Sequence, residues 1–134
     1  MKPKEMIYQN DRKVELLYND IFKGYHYYIL NLGTHPTAYI EIPKTSKLYG
    51  KDYDEIYKIG IDLNVNGGLT YSKDHLCTGE GTVMVESWFI GWDYCHCWDY
   101  YGGFDNNLNK GNKKWTTKEI IEECKKAIEQ LLEE

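Results

Sequence analysis

The sequence predicts an α+β fold, in which an antiparallel sheet of about five or six strands packs on one C-terminal helix. Two observations support this prediction. Apolar residues recur at helical spacing near the C-terminus, and the chain before that consists of short runs rich in aromatic and β-branched residues. The length of 134 residues fits one domain, so we assign 1–134 to a single α+β domain.

The C-terminal helix has the clearest signals. Thr116 and Glu119 are spaced as a capping box, and Trp115 before the cap can pack on Ile120 as a hydrophobic staple. Apolar residues then recur on one side of the segment, while Glu and Lys fill the other side. We predict an amphipathic helix over 117–132 that packs on the sheet.

The remaining chain is typical of short strands separated by turn residues. Lys23 and Gly24 supply one turn, and the segments 33–36 and 66–68 supply two more. We expect a loop at 45–53, with room for a short helical turn. The predicted strands are 13–18, 25–32, 37–42, 56–65, 69–71 and a long run over 82–101.

The run over 82–101 is too long for one straight strand. Twenty residues at about 3.3 Å each would span about 66 Å. A compact chain of this length has a radius of gyration of only about 14 Å. The run must therefore bend or reverse, and we place the change of direction at Gly91 or between residues 98 and 103.

Charge and hydropathy exclude several classes of protein. A net charge of −5 argues against a protein that holds long nucleic acid, which usually carries a basic stripe. No apolar run approaches the roughly 20 residues of a membrane helix. The opening Met-Lys-Pro-Lys-Glu leads into no apolar stretch, so we predict no signal peptide and a cytoplasmic location. The four cysteines are then expected to be free thiols.

The candidate site lies in residues 88–104, where eight of 17 residues are aromatic and Asp93, His96 and Asp99 stand among them. A buried charge costs several kcal/mol unless it is paired, so we expect these polar groups to face a ligand. If strand geometry continued, Trp92, Tyr94, His96, Trp98 and Tyr100 would share one face and the two Asp the other. The alternative is that the aromatic residues form core and the Asp residues cap turns. The predicted ligand-binding residues are Trp92, Asp93, Tyr94, His96, Trp98, Asp99, His35, Gly67, Gly68, Thr70 and Tyr71.

Two turns adjoin this site in the prediction. Gly67 and Gly68 form a tight turn, whose functional interpretation is an N–H-lined concavity for an anion. His35 lies on a turn at a strand end, where it is either an exposed turn residue or part of the site. The stretch 86–109 contains no Lys or Arg. A phosphate bound there would therefore need backbone N–H groups or a basic residue from another segment.

The sequence also offers candidates for a metal site and for an acid–base pair. A four-ligand zinc site is conceivable, but Cys-x-Cys is not the common zinc spacing, and we predict no metal and no cofactor. Its ligands would be His75, Cys77, Cys95 and Cys97. His96 with Asp93 or Asp99 is a reasonable acid–base pair, yet no nucleophile motif accompanies it. Whether the protein is an enzyme stays open, with a non-catalytic role favoured.

Four segments resemble a family of small uncharacterised proteins of phages and prophages. They read Asn-Leu-Gly-Thr-His-Pro, Gly-Gly-Leu-Thr-Tyr-Ser, Gly-Trp-Asp-Tyr-Cys-His and Lys-Trp-Thr-Thr-Lys-Glu-Ile-Ile, and the resemblance spans about 24–131. In that family the position of Cys95 is often Ala, which argues further against zinc. The resemblance implies no activity but a context, because small acidic phage proteins often antagonise host defence, and one class sequesters nucleotide immune signals.

These arguments predict a phage-type anti-defence protein of the host cell cytoplasm that sequesters a small nucleotide-like immune signal in an aromatic-rich pocket. Two alternatives stay open: a protein inhibitor that presents an aromatic surface to a host defence enzyme, and a small hydrolase that uses His96 with Asp93 or Asp99. One helix leaves much of the predicted sheet uncovered, so we expect a homo-oligomer, most simply a C2 dimer.

Overall fold

The computed structural model describes the backbone of residues 1–134 and every side chain except that of Val85. It confirms the α+β fold, with an antiparallel sheet of five strands and a C-terminal helix. The elements in chain order are β1 (Glu15–Phe22), β2 (Tyr25–Asn31), β3 (Pro36–Ile42), α1 (Tyr53–Lys58), β4 (Tyr71–Gly79), β5 (Thr82–Asp93) and α2 (Thr117–Leu132).

The sheet closes into a barrel, which the sequence did not predict. The strands follow one another in the order β1-β2-β3-β5-β4, and β4 returns to β1 through one residue pair, Glu15 with Gly79. Alternating side chains therefore point into the barrel or out toward α2. The sheet face that we expected to be uncovered is instead the barrel interior.

Two apolar clusters result from this alternation. The outer cluster joins β1, β2, β3 and β5 to α2, and it includes Tyr27, Ile29, Ile40, Ile120 and Ile128. The inner cluster fills the barrel with Tyr28, Leu30, Tyr39, Leu76 and Phe89. Both clusters consist of large side chains because β-branched and aromatic residues alternate along the strands.

Helix α2 has the predicted bounds. Thr116 accepts a hydrogen bond from the Glu119 backbone N–H at 3.2 Å, and Glu119 accepts one from the Thr116 N–H at 3.0 Å. This is the capping box that the sequence indicated. Among the described residues, no helix is long and apolar enough to cross a membrane.

The predicted strand over 56–65 is wrong. Ile56 lies in α1, and 61–65 is irregular chain without a partner strand. The α2 side chain of Gln130 takes the place of that partner, because it donates to the Asp62 carbonyl at 2.7 Å and accepts from the Asn64 N–H at 2.9 Å. The apolar residues that alternate in this segment, Ile61, Leu63 and Val65, are buried as expected. They pack against the helix rather than in the sheet.

The long run over 82–101 changes direction after Asp93, where β5 ends. The alternation predicted through Tyr100 therefore fails beyond Asp93. Gly91 stays within the strand and permits a close approach, since a Cβ there would lie 2.6 Å from the Ala38 carbonyl oxygen. A further bend occurs at Glu86, whose φ is +63° and which lies where the β4–β5 register shifts.

Residues 1–9 form a segment that we call the N-terminal strap. The Lys4 N–H donates to a β1 carbonyl at 2.9 Å, and the Lys4 carbonyl accepts from the Thr117 hydroxyl at 2.6 Å. The Tyr8 hydroxyl donates to the Trp115 carbonyl at 3.0 Å. The strap therefore joins β1 to the start of α2.

Candidate functional site

The chain after β5 forms the site loop, residues 94–104, and Asp99 holds it in place. The Asp99 carboxylate is 1% exposed and accepts hydrogen bonds from Trp115 Nε1 at 3.0 Å, Asn66 Nδ2 at 2.8 Å and the His96 N–H at 3.1 Å. These three donors compensate the buried charge. Asp99 thus has the turn-capping role that was its alternative interpretation, and it is not accessible to a ligand.

Asn66 connects the site loop to α2, and the sequence did not single it out. Its backbone N–H donates to Glu123 Oε1 at 3.1 Å. Its side-chain oxygen accepts from Trp98 Nε1 at 3.1 Å, and its Nδ2 also donates to the Asp93 carbonyl at 3.3 Å. The Asn-Gly-Gly pattern indicated a turn at 66–68. Glu123 was assigned to the polar face of the helix, and no sequence signal indicated that it contacts this turn.

Trp92 and Tyr94, both predicted to line the pocket, lie in the core beneath the loop. Trp92 Nε1 donates to Glu123 Oε1 at 3.0 Å, and the Tyr94 hydroxyl donates to the same oxygen at 2.6 Å. Burial, followed by the charge of Glu123, raises the pKa of Tyr94 well above its ordinary value. These two rings therefore support the loop rather than face solvent.

Asp93 and His96 form a close pair at the end of β5. His96 Nε2 lies 3.2 Å from Asp93 Oδ1, and the two side chains are 24% and 22% exposed. The angle is unsuitable for a directed hydrogen bond, so this nitrogen has no aligned partner. The ring packs on Gly67, where a Cβ would lie 1.9 Å from Nε2. Gly67 is therefore required for the position of His96.

Asp93 carries a negative charge that its neighbours stabilise. Burial alone would raise its pKa, but hydrogen bonds from Cys95 and Thr70 and the nearby His96 outweigh burial and lower the pKa. The Thr70 hydroxyl donates to Asp93 Oδ2 at 2.9 Å. The predicted contact between the segment 67–71 and the loop is thus present through Thr70 and Gly67.

Five rings on the site loop and the neighbouring turn, in one group of two and one group of three, form what we call the aromatic strip. The His96 ring stacks on Trp98 with centroids 5.1 Å apart and planes 16° apart, and His35 stacks on Tyr101 at 5.5 Å and 18°. Tyr101 in turn contacts Phe104 at 4.9 Å. Trp98 is 52% exposed and Phe104 is 50% exposed. The strip therefore presents stacked rings to solvent.

His35, on the turn before β3, lies against the site loop through its stack on Tyr101. Burial lowers the pKa of His35, whereas the charges of Asp93 and Asp99 act to raise it and His96 acts to lower it further. The Tyr94 N–H donates to the Pro36 carbonyl at 3.2 Å, which brings the turn of His35 to the end of β5 where Asp93 lies. Its Nδ1 is 3.0 Å from the Thr34 hydroxyl, which fixes the ring orientation.

Gly68 and Tyr71, the remaining predicted residues, have structural partners. A Cβ on Gly68 would lie 2.6 Å from the Tyr57 hydroxyl oxygen, which accepts from the Leu69 N–H at 3.0 Å. The Tyr71 ring packs edge-on against Tyr39 at 4.9 Å, on the barrel side. The sequence missed Tyr57, because the segment around it was assigned to a strand.

The four residues considered as zinc ligands, His75, Cys77, Cys95 and Cys97, do not form a metal site. Among the described residues, no three His, Cys, Asp or Glu side chains are grouped so that they could hold a metal. Cys95 Sγ lies 3.0 Å from Asp93 Oδ1. Burial, followed by this carboxylate, raises the pKa of Cys95 to about 12, so the reactive thiolate is disfavoured.

The aromatic strip is an open surface rather than an enclosed pocket. Three cavities of about 410, 440 and 210 Å³ lie elsewhere on the protein, and none is lined by a residue of the strip. No family model, curated protein or solved structure matches the chain. The inference of function therefore rests on the strip and the Asp93–His96 pair beside it.

Proposed function

We propose that the protein is a binding protein that holds a small nucleotide-like ligand against the aromatic strip. In the phage context that the sequence resemblance implies, it sequesters a nucleotide immune signal in the host cytoplasm. The observation that carries the proposal is Trp98. Its indole is half exposed, yet Asn66 and the stacked His96 ring fix its orientation. A ring held this way is prepared to stack on a planar ligand.

The groups beside Trp98 suit the base and sugar of such a ligand better than its phosphate. The Asp93 carboxylate can accept from ribose hydroxyls or exocyclic amines. No Lys or Arg occurs in 86–109, and the nearby Lys113 is bound to Glu119 at 2.8 Å. The phosphate therefore extends away from Asp93, toward solvent or a second chain.

A second copy of the chain would complete the site. Stacking of one base on an aromatic side chain is worth about 1–3 kcal/mol. A complex with a Kd of 1 mM has a binding free energy of about 4 kcal/mol, which is more than one stacked base provides. A protein that sequesters the ligand therefore has to contact it on both sides. The exposed rings of Trp98 and Phe104, with Leu108 64% exposed beyond them, give a second chain an apolar surface. We therefore retain the C2 dimer in the proposal.

Hydrolysis receives less support from the geometry than binding. His96 Nε2 faces Gly67 and Asp93 rather than solvent, so this nitrogen is poorly placed to reach a substrate. The Cys95 thiol has a raised pKa, which argues against it as a nucleophile. One observation favours the inhibitor alternative, namely that Phe104 and Leu108 extend the open surface beyond the size of one small ligand.

Heat release tests the proposal directly. The protein is incubated with a panel of ribonucleoside monophosphates, NAD and cyclic dinucleotides, separated from free compound, denatured by heat, and the released fraction is identified by mass spectrometry. We expect one compound to be returned intact by the native chain and lost with Trp98→Ala. The matched control is Tyr53→Ala, an exposed aromatic outside the strip. A chemically altered product would establish the hydrolase, and no retained compound would refute the binding proposal.

A further inference from the structure

A second group of polar side chains lies at the opposite end of the barrel from the aromatic strip. His26 Nε2 is 2.9 Å from Asn19 Oδ1, and His26 Nδ1 is 2.9 Å from the Tyr28 hydroxyl. Tyr28 donates to Glu41 Oε1 at 3.0 Å, and the Ser87 hydroxyl donates to Glu41 Oε2 at 3.0 Å. We call these five residues the mouth network. They have no role in the function proposed above.

Counting protons shows what reaches Glu41. The Asn19 side-chain oxygen can only accept, so His26 Nε2 donates to it, and the Tyr28 hydroxyl has one proton to share between Glu41 Oε1 and His26 Nδ1. At most two hydrogen bonds, from Tyr28 and Ser87, therefore point toward the Glu41 carboxylate. A carboxylate offers about four acceptor positions, of which these bonds occupy two. Glu41 thus keeps unused acceptor positions.

Glu41 is half-buried, and among the described residues no Lys, Arg or His lies within ion-pair distance of it. It borders a cavity of about 210 Å³ that is also lined by Gly24, His26 and Pro43. Each water occupies about 30 Å³ of liquid, so this space suits a small organic group. A half-buried carboxylate with no cation in contact gains from one that can reach it.

We propose that the mouth network is a second binding site, which takes the ammonium or guanidinium head of a small amine. Both oxygens of Glu41 can accept from N–H groups of such a head. A metal ion suits the site poorly, because it would find one carboxylate and a His26 ring whose two nitrogens already have partners. The head can come from a free amine or from a Lys or Arg side chain.

The test is a two-dimensional NMR titration of the full chain with ethylammonium, guanidinium, N-acetyl-arginine methylamide and tetramethylammonium. The first three carry N–H donors, whereas tetramethylammonium has the charge without a donor. We expect saturable shifts at Gly24, His26 and Ser87 with the N–H cations and none with tetramethylammonium. A blocked arginine that binds more tightly than the free cations would assign the site to a peptide side chain, and the reverse would assign it to a free amine.

Glu41→Gln is the decisive variant, because it keeps the size and the acceptor oxygen of the side chain while removing the charge. We expect its affinity for the N–H cations to fall by about tenfold or more. Glu86→Gln removes an exposed carboxylate one residue before Ser87, and it should leave the affinity unchanged. Equal shifts with tetramethylammonium, equal affinity in Glu41→Gln, or no saturable shift with any N–H cation would each overturn the proposal.

Discussion

Replacing Gly67 with alanine tests whether the contact between this turn and His96 builds the candidate site. Gly67 has a φ of +72°, and a Cβ there would lie 1.9 Å from His96 Nε2. Gly81 at the tip of the β4–β5 hairpin is a matched control. Its φ is +74°, and a Cβ there would meet no atom within 4 Å. Both substitutions introduce the same backbone strain, but only Gly67→Ala displaces His96.

The magnitudes follow from the contacts of His96. Alanine in the left-handed region costs about 1–2 kcal/mol at either position. Only Gly67→Ala also displaces the imidazole from Trp98, a stacked pair worth about 0.5–1.5 kcal/mol, and from Asp93, a half-exposed charge contact worth less than about 1 kcal/mol. We expect Gly67→Ala to lower the free energy of unfolding by about 1–2 kcal/mol more than Gly81→Ala does.

Urea denaturation of both variants measures this difference, provided that the slope of the unfolding transition is unchanged. The NMR signal of the Trp98 indole N–H reports on the site itself, because Trp98 lies on His96 and donates to Asn66. The chemical shift of this N–H should change in Gly67→Ala and stay the same in Gly81→Ala. Equal losses of stability together with an unmoved indole signal would refute the view that Gly67 positions the aromatic strip.

Four further predictions concern single side chains. Asp99→Ala removes the acceptor of three partly buried donors, of which Asn66 Nδ2 keeps the Asp93 carbonyl, and should lower the free energy of unfolding by about 2–3 kcal/mol in urea titrations; a loss below about 1 kcal/mol would contradict the role of Asp99. Tyr27→Phe removes a buried hydroxyl that has no partner, so thermal unfolding should show an unchanged or higher midpoint. The folded-state pKa of Asp93 is lowered, so its contribution to stability is present above its unfolded value of about 3.9 and is lost as the pH falls through the folded value. Asp93→Asn should flatten the acid limb of a stability–pH curve, and an unchanged limb would argue against that shift. The Cys95 thiol, with a pKa of about 12, should react with iodoacetamide at pH 8 more slowly than a free cysteine, as followed by mass spectrometry, and Asp93→Asn should speed the reaction.

Local sequence signals predicted the elements whose structure depends on neighbouring residues. The capping box at Thr116 and Glu119 located α2, and the turn at Lys23 and Gly24 located the β1–β2 hairpin. The segment 56–65 was misassigned because burial of alternate residues looks the same whether the partner is a strand or a helix. Only the folded chain shows that Gln130 supplies the missing hydrogen bonds.

The structure buries three of the residues that the sequence predicted to line the site, namely Trp92, Tyr94 and Asp99. The sequence brought Asp93, His96 and His35 to attention because polar residues among aromatic ones are costly to bury. It did not distinguish the open ring of Trp98 from the buried ring of Trp92, since both belong to the same aromatic run. Depth depends on where β5 ends, and that is set by its pairing with β3.

The N-terminal strap has a consequence for synthesis of the chain on the ribosome. The hydrogen bonds from Thr117 to Lys4 and from Tyr8 to Trp115 join residues 113 and 107 positions apart. Residues 4 and 8 therefore find these partners only after residues 115–117 have left the exit tunnel. Until then Met6 and the edge of β1 stay uncovered, a state in which strand edges pair with other chains. Slower synthesis of the segment before residue 115 therefore lengthens the time for which Met6 is uncovered.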